Sequence, residues 1–455
     1  MTRTRPARGG MTARAVFTTA LRLLSFAAIM LASPGEAAVL PPRLLEGSDC
    51  SIGGCHADKR ATEHVHFDDL RNRCQDCHLQ NGTAHEFSVD QSPALCQDCH
   101  ADQVAAGSKE IFVHGALEET CVGCHDPHGG DQPAILRGND ERELCTSCHD
   151  QGTLLSGKHR HGPVASGNCL ACHEPHRSRH RALLKADGDE LCAMCHEQKL
   201  ADITSESHRH EAACPDCHAS HAGDHEPLLI DSGDALCVRC HEEVASTWEH
   251  SPVDHRVNGP APGCTSCHSP HASSQPSLLL ATQLDLCLGC HQQAVEDGHT
   301  TPLAGIGAMM QANRYWHGPL QEGNCTGCHQ PHGSENFSLL AGTYPDRFYA
   351  PFDIEDYGLC FNCHDPGMVN APTTETATLF RDADRNLHFV HSRREPRGHT
   401  CRACHATHAS NNPFHISDSV PYGKWDMPLN FIPSANGGAC SPGCHNLREY
   451  KRDAE

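Results

Sequence analysis

Thirty cysteines stand in the 455 residues, and they fall into fifteen pairs with none left over. The second cysteine of every pair is followed directly by histidine. Thirteen pairs have the plain C-x-x-C-H form. They are Cys74, Cys77 and His78; Cys96, Cys99 and His100; Cys121, Cys124 and His125; Cys145, Cys148 and His149; Cys169, Cys172 and His173; Cys192, Cys195 and His196; Cys214, Cys217 and His218; Cys237, Cys240 and His241; Cys264, Cys267 and His268; Cys287, Cys290 and His291; Cys325, Cys328 and His329; Cys360, Cys363 and His364; and Cys401, Cys404 and His405. Two pairs are stretched: Cys50 and Cys55 before His56, and Cys440 and Cys444 before His445.

This spacing is the attachment signature of c-type haem. Two thiols add across the two vinyl groups as thioethers, and two intervening residues let one tight turn present both sulfurs to one porphyrin edge. The next residue then lies under the iron as proximal ligand. Structural zinc also uses C-x-x-C pairs, but it takes four ligands from two half-sites, and fifteen half-sites do not pair off. Neither zinc nor disulfides account for a histidine after every pair. The cofactor expected is covalent haem c, about fifteen copies, each with one iron.

Composition narrows the fold class. Aromatic residues are 5% of the chain, beside 38 Gly and 29 Pro, so a large conventional core is hard to build. No Gly-X-Y period exists, which excludes collagen. The formal net charge of −22 disfavours a nucleic-acid binder. It suits steering of basic redox partners, or simply solubility.

Residues 1–37 read as a secretory signal. Arg3, Arg5, Arg8 and Arg14 lead an apolar stretch from Ala15 to Ala32, interrupted by Arg22. Small residues at Gly35, Ala37 and Ala38 point to cleavage after Ala37 or Ala38, and Met11 is an alternative start. No later stretch approaches the roughly 18 apolar residues of a membrane helix. The expectation is export to the periplasm or exterior of a bacterium, with no span in the mature chain.

The motifs alternate in kind. The first type extends to C-x-x-C-H-x-x-H, as from Cys121 to His128, and the second follows a leucine, as at Leu144-Cys145. They form seven pairs, beginning at Cys74/Cys96, Cys121/Cys145, Cys169/Cys192, Cys214/Cys237, Cys264/Cys287, Cys325/Cys360 and Cys401/Cys440, with Cys50 alone in front. Similar units at this spacing imply an array of modules. The expected organisation is a signal at 1–37, an N-terminal segment at 38–72 with the first haem site, regular di-haem repeats at 73–300, and di-haem repeats with loop insertions at 301–455. The insertions are 341–358, 367–386 and 411–438. The fold class expected is mostly irregular coil with short α-helices, in an elongated repeat array of di-haem modules around a stacked haem chain. Helices are expected at 190–202, 235–246 and 284–296, and the aromatics clustered from Tyr315 to Trp425 are expected to pack the late loops or to form a docking surface.

The 39 histidines leave 24 after the proximal set. Six stand three residues beyond a proximal histidine: His128, His176, His221, His271, His332 and His408. Such a residue cannot swing to the far side of its own haem, but it can reach a neighbouring iron. A second set lies upstream of first-type motifs: His66, His114, His161, His210, His255, His317 and His391. His64 and His85 complete fifteen distal candidates, and His159, His208, His250 and His388 are substitutes within the upstream pairs. Asn81 replaces the expected histidine after His78, while His180, His225, His299, His399 and His415 read as exposed spares. Two imidazoles on each iron leave no place for substrate, so electron transfer is expected, with the second ring nitrogens bonded to carbonyls or propionates. No catalytic residues are assigned. The alternatives are a reductase of a small nitrogen or sulfur oxyanion with one open haem, at His78, His56 or His445, and a filament-forming subunit.

The segment from His161 through Cys169, Cys172 and His173 to His176, followed by Leu191-Cys192-Ala193-Met194-Cys195-His196, resembles the doubled-CXXCH multihaem c-type cytochromes. The resemblance runs from Cys50 to His445. It implies an exported electron carrier of anaerobic respiration or extracellular electron transfer. It also implies redox protein partners, such as an outer-membrane porin or an inner-membrane quinol-oxidising cytochrome, and in some relatives a homopolymer.

Overall fold

The computed structural model describes residues 50, 56–66, 73–81, 86–104, 111–201, 212–252, 263–294 and 304–453. The expected leader, and the candidates Cys55, His85, His210 and His255, lie outside them.

Second-type motifs ride on short helices: Pro93–Val104, Glu141–Thr146, Gly188–Ala201, Gly233–Val238, Gln283–His291 and Gly358–Phe361. Side-chain caps start two of them. Asp140 accepts from the Glu143 amide at 2.8 Å, and Thr282 from the Asp285 amide at 3.3 Å. The helix expected at 235–246 is divided: Gly233–Val238 and Glu242–His250 flank His241. Helical geometry also breaks at His100 and His196, so the chain bends at proximal histidines. First-type motifs occupy single turns, for example Cys169–Ala171, Cys264–Ser266 and Cys401–Ala403.

Two-residue antiparallel ladders tie modules together where coil was expected. Phe112–Val113 pairs with Arg177–Ser178, His159–Arg160 with Ala222–Gly223, and Tyr315–Trp316 with Ala409–Ser410. They are too short to leave an alternating pattern in the sequence.

The late insertions are structured. Tyr344 and Tyr357 meet edge to face at 5.7 Å, and Phe352 stacks on Tyr357 at 4.9 Å. With Leu340 they form a core cluster that also packs on Cys360 and Cys401. Helix Gly367–Asn370 and the hairpin Arg381–Asp382/Arg385–Asn386 lead into helix Leu387–Ser392. Asn386, fully buried, caps that helix through the Phe389 amide and donates to the carbonyls of Met368 and Ala371. A hairpin, Ser419–Tyr422 with Trp425–Pro428, and a three-stranded sheet of Ile432–Ser434, Gly437–Cys440 and Arg448–Lys451 follow. Among the described residues, every buried hydrophobic side chain lies between Met310 and Leu429. No helix among them is long and apolar enough to cross a membrane.

Candidate metal centres

Six first-type motifs share one local device. Nine residues after the proximal histidine a backbone carbonyl turns back to its ring. His125 Nδ1 lies 2.8 Å from the Ala134 carbonyl, His173 Nδ1 2.9 Å from Ala182, His218 Nδ1 3.0 Å from Pro227, His268 Nδ1 2.8 Å from Ser277, His329 Nδ1 2.9 Å from Ser338, and His405 Nδ1 2.8 Å from Phe414. In five of the six turns two consecutive non-glycine residues take positive φ, as Ala134 and Ile135 do at 55° and 52°. This backbone region costs such residues about 1–3 kcal/mol each. Carbonyl–amide bonds hold the turn: Asp126 N–H donates to Ile135, and Arg137 N–H to Cys124. With Nδ1 donating to a carbonyl, Nε2 is left unprotonated for a metal. The recurring Ser-Leu-Leu, Ala-Leu-Leu and Ala-Ile-Leu at this offset were a legible signal that the sequence reading missed.

Opposite the proximal rings stand second histidines. The described pairs are His78 with His128, His100 with His66, His125 with His176, His149 with His114, His173 with His221, His196 with His161, His218 with His271, His268 with His332, His329 with His408, His364 with His317 and His405 with His388. Ring centres lie 5.9 to 6.3 Å apart, with planes within 33° of parallel. Two metal–nitrogen bonds of about 2 Å, with roughly 1 Å from nitrogen to ring centre on each side, span about 6 Å. The spacing therefore fits one metal atom between two imidazoles. Among the described residues no group of three or more His, Cys, Asp or Glu is gathered for a bare ion.

The pairing follows a rule. The histidine three beyond a proximal ligand reaches back to the first-type site of the preceding module, and the upstream histidine reaches forward to the second-type site of its own. The ladders bring both donors together. His114 N–H donates to the His176 carbonyl at 2.9 Å, His161 N–H to His221 at 3.0 Å, and His317 N–H to His408 at 2.9 Å. One strap thus supplies both sites of one module.

At His405 the rule changes: His388 stands opposite it, its Nδ1 2.8 Å from the hydroxyl of the buried Thr378. The sequence reading kept His388 only as a substitute for His391. His391 bonds the Leu387 carbonyl through Nδ1 at 2.7 Å and meets His399 edge-on at 5.6 Å, both close enough to His445 to feel its charge. His159 is turned aside to Glu226 at 3.2 Å, and His250 to its own helix at Ser246. The backbone of His64 pairs with Gly130. His180, His225, His399 and His415, read as exposed, are half-buried. His299 and His208 lie outside the described residues.

Burial in the late region pushes the His388 and His408 rings down to pKa values of about 4, which holds them neutral, as metal ligation requires. Burial raises Cys404 to about 12. The cysteines of described motifs are unpaired by disulfides. The described cysteines from Cys50 through Cys363 line one connected cavity of about 7900 Å³, running from Cys50 to Pro421, along with the proximal histidines from His56 to His405. An ordinary small-ligand pocket holds about 300–1,000 Å³, so this space suits a series of large cofactors.

Paired thiols, a following imidazole whose Nε2 is free for metal, and a second imidazole about 6 Å away define a c-type haem attachment protein. The family model for the doubled CXXCH motif matches residues 114–153, 161–201, 208–246, 250–296 and 317–369. Each match begins at an upstream histidine and ends beyond a second-type motif, so the family unit and the structural module coincide. These repeats indicate that the chain is a multihaem c-type cytochrome of the doubled-CXXCH kind. No curated protein matches the chain.

Proposed function

We propose that the chain is exported, carries about fifteen covalent haems, and conducts electrons along a series of low-spin haems in respiratory or extracellular electron transfer. The thirty cysteines are the thioether anchors and the fifteen motif histidines the proximal ligands. Each bound haem supplies a one-electron ferric/ferrous couple. The observation that carries this reading is the set of eleven histidine pairs at about 6 Å. With both axial positions taken by imidazole, a haem has no site for substrate and undergoes little rearrangement on reduction. The histidine pairings supply the distal ligands: the upstream histidines serve second-type haems, the +3 histidines first-type haems, and His388 serves His405. By the same rule His210 serves His241 and His255 serves His291. His64 and His85 are the candidates for the haem at His56, and His391 for that at His445. The partners proposed are redox proteins of the periplasm or outer membrane.

Intact mass of the mature holoprotein counts the haems and tests both stretched motifs. Electron paramagnetic resonance of the oxidised protein is expected to show low-spin ferric haem throughout. His128→Ala is expected to turn the His78 haem high-spin with every thioether retained, and His388→Ala to do the same at His405. An unchanged spin state removes that histidine from the ligand set. A second reading, reduction of a small oxyanion at one open iron, draws on His445. Among the described residues no imidazole is stacked on it as in the other pairs, and the nearby His391 and His399 meet each other edge-on at 5.6 Å. His78, read from sequence as a candidate open site, has His128 opposite. Turnover of nitrite with stoichiometric binding at one haem would favour this second reading.

A further inference from the structure

The distal straps tie neighbouring modules together on the histidine side. A second set of contacts joins them on the attachment side. At the described junctions the first cysteine of a second-type motif lies near the first cysteine of the following module, close enough for each thiol to influence the other: Cys96 and Cys121, Cys145 and Cys169, Cys192 and Cys214, Cys237 and Cys264, Cys287 and Cys325, and Cys360 and Cys401.

At four of these junctions a side chain of the earlier module takes a backbone amide at the second sulfur's own turn. Glu141 accepts from Leu170 N–H at 3.0 Å. Asp234 accepts from Cys264 N–H at 2.7 Å. Gln283 accepts from Cys325 N–H at 2.5 Å and from Thr326 N–H at 3.1 Å. The Tyr344 hydroxyl accepts from Arg402 N–H at 2.8 Å. Glu141, Asp234 and Gln283 stand three or four residues before Cys145, Cys237 and Cys287, in the first turn of the helix that carries the motif. Asp189, at the same place in helix Gly188–Ala201, lies 3.0 Å from the Cys214 sulfur. All five are at least half-buried.

The acceptors differ in charge: two carboxylates, a neutral amide and a phenol. What they share is an oxygen aimed at the turn that holds the next sulfur. The chain also makes room for it. A methyl group on Gly263 would overlap the Asp234 carboxylate. The Cys96/Cys121 junction lacks the device, since the Val122 amide bonds its neighbour Thr120 at 3.2 Å.

We propose that Glu141, Asp234, Gln283 and Tyr344 are positioning residues. Each latches the attachment turn of one module to the helix of the module before it, so that the thioether edges of consecutive modules are held in contact in sequence order. The latch sets the closest approach between modules, and so the rate at which charge crosses that boundary. This inference rests on the electron-conducting reading.

The test uses the full-length, haem-loaded protein with Asp234→Ala, and with Asp234→Asn, which keeps an acceptor oxygen. Haem content by intact mass and spin state are expected to stay at wild-type values in both. Asp234→Ala is expected to lose protection of the Cys264 amide in hydrogen exchange and to slow end-to-end conduction severalfold, whereas Asp234→Asn restores both. Where Asp234→Ala yields incomplete haem loading, Gly263→Ala opens the same latch by crowding and is read the same way. Conduction equal to wild type in the unlatched variant overturns the proposal. Loss of amide protection in a wild-type protein background that does not conduct at all would leave the latch standing and remove the electron-conducting reading instead.

Discussion

Before residue 301 no described hydrophobic side chain is buried, and Met194 and Leu280 stand 58% and 53% exposed. After it, Tyr357 is 1% exposed, Met427 2% and Val420 3%. The two regions use the same attachment motifs, yet they fill their interiors differently. In the array the polypeptide is a frame of straps, caps and left-handed turns around a connected cavity. In the C-terminal region insertions supply an aromatic core and two small β-sheets. The difference teaches how a module can be completed in two ways. From His78 to His329 the described first-type histidines face a histidine of the following module. His405 instead faces His388, presented by a half-buried helix capped by Asn386 and held through Thr378. The insertions read from sequence as loops are the scaffold of that substitution.

Removing the cofactors should separate the regions most sharply. Ordering a residue costs roughly 1–2 kcal/mol of backbone entropy, and among the described residues of the array no apolar side chain is buried to offset it. Limited proteolysis of haem-free chain is expected to cut throughout 56–294 while a fragment within 304–453 persists. Equal digestion of both would erase the distinction. Core truncation comes next. Tyr357→Ala is expected to cost about 3–5 kcal/mol in denaturant unfolding of the C-terminal region, whereas Leu280→Ala, at an exposed site, is expected to stay within about 0.5 kcal/mol.

The smallest effect is one of pH, in the haem-free chain. His388 and His408 fall from an ordinary 6.5 to about 4 in the folded C-terminal region. The unfolded chain therefore takes up protons first as acid is added. Stability from these neutral buried rings is complete above about pH 6.5 and is lost as pH falls toward 4. Denaturation midpoints at pH 7 and pH 4.5 measure it. A midpoint that does not fall with acid would show that the rings are solvated once the haem is gone.

Much of the site was legible in the chain because the chemistry is local. Two thiols and an imidazole within five residues make an attachment point wherever they fold, and a histidine three residues on is barred from its own haem by chain length. The family unit and the strap-bound modules share boundaries for the same reason. The left-handed turns were legible too, through the apolar residues ten and eleven positions beyond five of the first-type proximal histidines, though only their geometry shows why those residues recur.

The amino-acid sequence by itself determined the haem-attachment chemistry and the recurrence of paired motifs, since each depends on neighbours in the chain. Only the tertiary structure shows which second histidine stands opposite which motif histidine. His128 meets His78 across about fifty residues, and His66 rather than His64 stands opposite His100. Nothing in local spacing distinguishes two histidines in one extended segment. The strand pairing that turns one inward and the other aside is made with a different module, and so are the side-chain hydrogen bonds at four of the described module boundaries.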